Sequence, residues 1–291
     1  MIVDLSYPRN IVVETTAHCQ LECKMCGRRT TKRKLGNMKK ELMLNILEQI
    51  ADFNTHIRLW YCFLGEPLII KNRLPEYIRF GRYLGLKHHL INTNGNALDP
   101  ETSKSLIDAG LTEIYIGIDA ATEETYKKIR IGGDFNKVLY NVDQFLKIKP
   151  KDLKVSVQLI SMAENEQEKK LFADYWGQRE VSVFIKEPAQ WIDMVEVDQP
   201  EIDRYSCPSL LDTLGIYWDG RTPFCVNDWD GRTVFSNINT TPLKEIWSKQ
   251  VHDFAKYHIL EQWSKVPEIC RNCQDWTCKE KRELKNVPED L

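Results

Sequence analysis

Three cysteines fall within eight positions near the start of the chain, Cys19, Cys23 and Cys26, in the stretch "ETTAHCQLECKMCGRR". Three thiolates can hold three corners of a cubane [4Fe–4S] cluster and leave the fourth iron open to an outside ligand, which makes the metal a reagent and not a staple. The competing readings are a zinc site completed by His18 or three unrelated buried thiols. Zinc is disfavoured because a histidine next to a ligand cysteine rarely reaches the same metal. Five more cysteines lie near the end, Cys207, Cys225, Cys270, Cys273 and Cys278, and Cys62 stands between the groups. Cys207, Cys225 and the Cys270-x2-Cys273 pair suit a closed [4Fe–4S] cluster or a four-cysteine zinc site. Cys62, among Trp60, Tyr61 and Phe63, reads first as a small buried hydrophobe and second as a hydrogen-atom donor.

Composition narrows the surroundings of this chemistry. The 291 residues carry 40 Lys+Arg against 42 Asp+Glu, a formal charge of −2, so bulk charge favours neither nucleic acid nor an anionic membrane. The start "MIVDLSYPRN" has no basic region followed by a long apolar run, and no stretch nears the roughly 18 apolar residues of a membrane helix. A cytoplasmic, reducing compartment is therefore expected, where nine cysteines read as metal ligands or reactive thiols before disulfides.

The elements that must position these residues alternate. Strand patterns cover 10–16, 57–63, 87–94, 113–119, 154–160 and 181–186, with helix patterns near 38–53, 72–84, 100–109, 135–148 and 164–177. The helix at 100 is well delimited by Asp99 as cap, Pro100 at its first position and Gly110 as terminator. Alternation of this kind calls for an α/β fold with a mostly parallel sheet, either open and doubly wound or a partial (βα) barrel. Beyond Trp191 it stops. An acidic, proline-broken linker leads into a cysteine-rich tail with a hairpin turning at Asp219-Gly220 and a helix near 242–258, which reads as a small domain organised by metal.

Cys19-x3-Cys23-x2-Cys26 after a first strand resembles the signature of the radical S-adenosylmethionine (SAM) superfamily. Met25 stands where the family often has an aromatic residue beside the adenine. "LGEP" at 64–67 is similar to the family's GGEP segment, so Gly65, Glu66 and Pro67 are expected to bind the cofactor; "NTNG" at 92–95 adds Asn94. In the strand-four stretch, Asp119 is expected to face the substrate and Arg130 to pair with the cofactor's carboxylate, while Gly117 replaces a frequent serine. The resemblance implies a partial (βα)6 TIM barrel over residues 1–195. It also implies a twitch/SPASM-like auxiliary domain over 196–291, whose single auxiliary cluster would be ligated by Cys207, Cys225, Cys270 and Cys273.

The implied cofactors are S-adenosyl-L-methionine and two [4Fe–4S] clusters, one of them SAM-binding. The implied activity is that of a radical SAM oxidoreductase: cleavage of SAM to a 5′-deoxyadenosyl radical, hydrogen abstraction from a small polar substrate, and electron transfer to the auxiliary cluster. Dehydrogenation or epimerisation of a sugar or aminocyclitol carbinol leads, by resemblance to 2-deoxy-scyllo-inosamine dehydrogenase-like enzymes. Cys62, Asp119 and Asp228 are the expected catalytic residues, among strand-end polar groups that also include Gln158, Lys186 and Glu187. A flavodoxin or ferredoxin would supply the electron, and no membrane or nucleic-acid partner is expected. The alternatives are a peptide-modifying maturase, against which Cys19 is taken to leave no room for a leader-binding domain, and a non-catalytic Fe–S or zinc scaffold.

Overall fold

The computed structural model of the chain describes residues 2–187, 203–278, 281, 283–289 and 291. The division at 195/196 and the middle of the expected linker lie outside the described residues. A seven-stranded parallel sheet organises the first part. Its strands are β2 (Asn10–Val13), β3 (Arg58–Trp60), β4 (His88–Thr93), β5 (Glu113–Gly117), β6 (Lys154–Ile160), β7 (Ser182–Lys186) and β8 (Thr213–Ile216), a short β1 (Ile2–Asp4) preceding them. The order is β7-β6-β5-β4-β3-β2-β8. This is the partial barrel that the resemblance implied.

The connecting helices are α1 (Lys40–Phe53), α2 (Leu74–Tyr83), α3 (Pro100–Ala109), α4 (Glu123–Ile129), α5 (Phe135–Ile148) and α6 (Lys169–Gly177). Local chemistry fixes their ends. The Asp99 carboxylate accepts from the Thr102 N–H at 2.8 Å and Gly110 closes α3 at φ 96°, a left-handed conformation that costs glycine little. Thr122 caps α4, and Asp134 caps α5. Ile46, Ile50, Tyr77, Ile78, Val138, Val142 and Phe145 turn the apolar faces of these helices onto the buried strand residues.

Strand β8 belongs to the cysteine-rich half, yet it pairs with β2 from Asn10↔Thr213 to Val13↔Ile216 and extends the sheet past its first strand. The turn at Asp219-Gly220 forms as expected, with the Tyr217 N–H on the Arg221 carbonyl at 2.9 Å. Strand β9 (Arg221–Pro223) then pairs antiparallel with β10 (Val234–Asn237), while β8 pairs with β2. The expected helix at 242–258 is α7 (Leu243–Gln250), followed by a π-turn over Val251–Ala255 and a last helical turn. A parallel pair between β1 and β11 (Glu283–Lys285) joins the two ends of the described chain. Val3, Leu5, Leu210, Leu211, Phe224 and Ala255 make a second, smaller core against which Cys207, Cys225 and Cys270 pack. No helix among the described residues is long and apolar enough to cross a membrane.

Candidate functional site: two cysteine centres at one end of a barrel

Because strands β2 to β8 run parallel, the residues that follow them gather at one end of the sheet. The loop after β2 carries Cys19, Cys23 and Cys26. It is ruled into shape by backbone bonds from the Glu22 and Lys24 N–H groups to the Ile131 and Ile129 carbonyls, each 2.9 Å, and closed by the Cys26 N–H on the Cys23 carbonyl at 3.0 Å. The Arg28 guanidinium donates to the Leu21 carbonyl across the same loop. Burial pushes the Cys19 thiol up to about 11 and raises that of Cys23, with neighbouring thiols adding to both. Each would lose its proton only to a metal or a strong positive field.

The "GEP" segment is folded onto this loop. The Glu66 N–H donates to the His18 carbonyl at 2.8 Å, and a Cβ on Gly65 would sit 2.1 Å from the Thr16 carbonyl oxygen, so only glycine allows the approach. Buried Glu66 accepts from the Leu68 N–H, the Thr93 hydroxyl and the Asn94 N–H at 3.0, 2.7 and 2.8 Å; burial still raises its pKa. It ties the end of β4 to the loop after β3, and Pro67 opens the short turn Pro67–Ile70 that it caps. Asn94 accepts from Gln20 at 3.1 Å and its Nδ2 lies 3.8 Å from the Cys19 sulfur. Met25 is half-buried on the loop.

Asp119 and Arg130 meet each other. Asp119 is 0% exposed at φ 61°, and its Oδ2 takes Nε and Nη2 of Arg130 at 2.6 and 2.5 Å while Oδ1 takes the Ile160 N–H at 2.7 Å. Arg130 extends Nη1 to 3.6 Å from the Cys23 sulfur. Burial opposes its charge, but Asp119 and then Cys23 hold its pKa above the ordinary arginine value. A side chain at 117 would place Cβ 2.1 Å from Nη2, so Gly117 makes room for this guanidinium. Asp119, expected on the substrate side, has both oxygens engaged, one by Arg130 and the other by the Ile160 N–H.

Asp228 is engaged at both oxygens as well. Oδ1 accepts from the N–H groups of Asp230 and Gly231, and Oδ2 from the N–H and hydroxyl of Thr233, all between 2.6 and 3.1 Å. It organises the loop after Cys225. Cys62 follows β3 as a half-buried residue whose thiol is pushed up to about 12 by burial. Gln158 is buried on β6, whereas Lys186 and Glu187 are exposed at the open edge.

The second group converges. Cys207, Cys225, Cys270 and Cys273 line one cavity, walled also by Phe224, His258 and Trp276. Burial is the main cause that raises the thiols of Cys225, Cys270 and Cys273, the last two to about 12, and Cys207 adds to each. Among the described residues no three His, Cys, Asp or Glu side chains converge as a single ion requires. Four thiols around a shared cavity, with Arg204 Nε and His258 Nε2 in its wall buried and without partners among the described residues, fit a larger anionic occupant such as a cluster. The site of Cys278's side chain lies outside the description.

Residues that the sequence did not single out hold the halves together. Arg33 is buried with Nη1 and Nη2 on the Glu14 carboxylate at 3.0 and 2.8 Å, Nε on the Trp229 carbonyl at 2.9 Å, and its guanidinium 3.9 Å over the Tyr217 ring. Thr31 and Lys32 bind the Asp230 carboxylate, so the segment after Cys26 is clamped by the loop after Cys225.

Residues 13–175, more than half of the chain, match the Radical SAM superfamily. The chain belongs to the radical SAM superfamily. Residues 207–274 of this radical SAM protein match the SPASM iron–sulfur cluster-binding domain. Its cofactors are S-adenosyl-L-methionine and two [4Fe–4S] clusters, one SAM-binding and one auxiliary. It is 30% identical over 145 residues to an AdoMet-dependent heme synthase of Methanosarcina barkeri, covering 49% of this chain and 40% of that relative. It is 21% identical over 269 residues to S-adenosyl-L-methionine-dependent 2-deoxy-scyllo-inosamine dehydrogenase of Niallia circulans, covering 91% and 92%. The fold is shared with BtrN in complex with AdoMet and 2-DOIA, at a TM-score of 0.66, 18% identity and coverage of 92% and 93%. It is shared equally with anSMEcpe bound to AdoMet and the Cp18Cys peptide, at 0.66, 16%, 93% and 87%.

Proposed function

We infer that this radical SAM protein oxidises or epimerises a carbinol carbon of a small polar molecule such as a sugar or aminocyclitol. The observation that carries the reading is the four-thiol cavity in the C-terminal part, together with similarity over 91% of the chain to an aminocyclitol dehydrogenase. When bound, SAM on the first cluster supplies the hydrogen-abstracting 5′-deoxyadenosyl radical, and the auxiliary cluster accepts an electron. For dehydrogenation the substrate would lose a hydrogen atom from C–H, a proton from the hydroxyl to solvent and one electron, leaving a C=O group, and an auxiliary centre held by Cys207, Cys225, Cys270 and Cys273 would take that electron.

The chain's own residues are assigned as follows. Cys19, Cys23 and Cys26 hold the first cluster, and Cys207, Cys225, Cys270 and Cys273 the second. Gly65, Glu66 and Pro67, packed on the cysteine loop, would help to hold the cofactor there, with Asn94 beside Cys19 and Met25 on the same loop. Arg130, kept charged by Asp119, presents a cation beside Cys23, suited to a carboxylate. Epimerisation is the second reading because Cys62, held as a protonated thiol, is in the form that donates a hydrogen atom. A small reduced carrier such as flavodoxin or ferredoxin, in the cytoplasm, is the proposed electron source.

The test is anaerobic reconstitution with iron and sulfide, then assay of 5′-deoxyadenosine against deuterated polyols. About eight irons per chain are expected from two cubanes. Dehydrogenation carries substrate deuterium into deoxyadenosine with no solvent hydrogen in the product, whereas epimerisation brings solvent hydrogen in. Absence of cofactor cleavage with every polyol, alongside cleavage stimulated by a peptide, would replace this reading with the maturase one.

A further inference from the structure

The wall of the four-thiol cavity holds one group with a permanent positive charge, Arg204, and one buried imidazole, His258. Arg204 gives Nη1 to the Arg271 carbonyl at 2.9 Å and Nη2 to the Cys270 carbonyl, which fastens it to the Cys270–Cys273 turn. Its Nε is buried and has no partner among the described residues. His258 is 1% exposed; its Nδ1 lies 3.5 Å from the Cys207 N–H and so acts as the acceptor, which puts the ring hydrogen on Nε2. That Nε2 is also buried and without a partner. Trp263 braces both, 5.8 Å from the imidazole in a T-shaped contact and 5.1 Å beneath the guanidinium.

Two orphaned donors beside four thiols are costly in a protein interior unless the occupant accepts from them. The sulfurs of an iron–sulfur cluster do, and hydrogen bonds to those sulfurs together with nearby charge set its potential. The opposing charge in the wall is Asp275, whose carboxylate takes Asn227 Nδ2 at 2.8 Å and whose backbone N–H donates to the Cys273 sulfur at 3.3 Å. We propose that Arg204 and His258 are positioning residues that tune the auxiliary cluster. Each donates one hydrogen bond to a cluster or cysteinyl sulfur, and Arg204 adds a charge, so that the cluster is reduced more readily than its thiolate ligands and Asp275 alone would permit. The proposal rests on the assignment of that cluster under the proposed function.

The test uses the full chain carrying Cys19→Ala, Cys23→Ala and Cys26→Ala, reconstituted with iron and sulfide, so that the auxiliary cluster is read alone in an EPR-monitored redox titration. The wild-type chain, with both signals, is titrated beside it. In this background His258→Phe and Arg204→Met are each expected to make reduction about tenfold less favourable, a midpoint lowered by about 59 mV for one electron. Arg204→Lys, which keeps charge and loses the Nε–H, should shift it less. With 15N-labelled histidine, a weak nitrogen coupling to the reduced cluster should vanish in His258→Phe. Midpoints unchanged in His258→Phe and Arg204→Lys overturn the proposal, even if Arg204→Met fails to assemble; so does a nitrogen coupling strong enough for direct ligation. Failure of the underlying assignment is distinct, since the parent chain would then bind no cubane before any wall residue is changed.

Discussion

At the residue scale, the three N-terminal thiols differ from ordinary buried cysteines in what surrounds them. Burial raises Cys19 and Cys23, while Arg130 sits beside Cys23 and Asn94 beside Cys19. Replacing Cys19, Cys23 and Cys26 by alanine should lower iron from about eight to about four per chain and abolish deoxyadenosine formation, as read by iron assay and chromatography. Gly117→Ser tests the room made for Arg130. Its new side chain meets the guanidinium, so the Asp119–Arg130–Cys23 bridge should shift at a cost of about 1–3 kcal/mol, measured by chemical unfolding, with SAM bound more weakly. The partners of Asp119 and Asp228 were not legible in sequence for one reason: a carboxylate at a strand end looks the same whether it faces open space or is saturated by N–H groups. Only the partners, contributed by Arg130, Ile160 and Thr233, decide.

At the element scale, parallel strands deliver the loops and the loops lean on one another. Gly65→Ala would drive a methyl into the Thr16 and His18 carbonyls, which are backbone and cannot swing aside. It should release the first cluster while the auxiliary one is retained, an outcome visible as loss of about half the iron. Strand β4 carries a second test. Buried His89 is held to Tyr61 at 2.8 Å, and burial lowers its pKa to about 4 from 6.5. The unfolded chain therefore takes up the proton first as pH falls, and stability present above pH 6.5 should drop by about 3 kcal/mol on reaching pH 4. Urea unfolding across that range should show the loss, with a smaller slope in His89→Gln. Most of the barrel's helices and strands were legible because their periodicity and caps are local, as at Asp99 and Gly110, whereas the short α4 was not. The β1–β11 and β2–β8 pairings were not, since strand partners far apart in sequence leave no local trace.

At the scale of the whole molecule, the two cysteine centres are joined by a short physical bridge. The loop that leaves Cys225 reaches Trp229, whose ring lies against Gly27 beside Cys26, and whose carbonyl takes Arg33. Glu14 and Arg33 are 0% and 2% exposed in their side chains, and one partner without the other leaves an uncompensated buried charge. Arg33→Met should cost about 3–5 kcal/mol, and adding Glu14→Gln should recover part of it. A double-mutant cycle in thermal unfolding gives that coupling; additive losses would show the pair to be independent.

The sequence by itself determined the elements of the barrel, the two thiol groups and the resemblance that gave the cofactors, because each depends on residue type and short spacing. Tertiary structure decided the rest. It placed β8 of the cysteine-rich half at the edge of the first sheet, closed Asp119 onto Arg130, and set Arg204 and His258 with unpartnered N–H groups in the wall of the auxiliary cavity. Those outcomes rest on contacts between residues from 11 to more than 200 positions apart, where burial and pairing, and not residue type, assign the role.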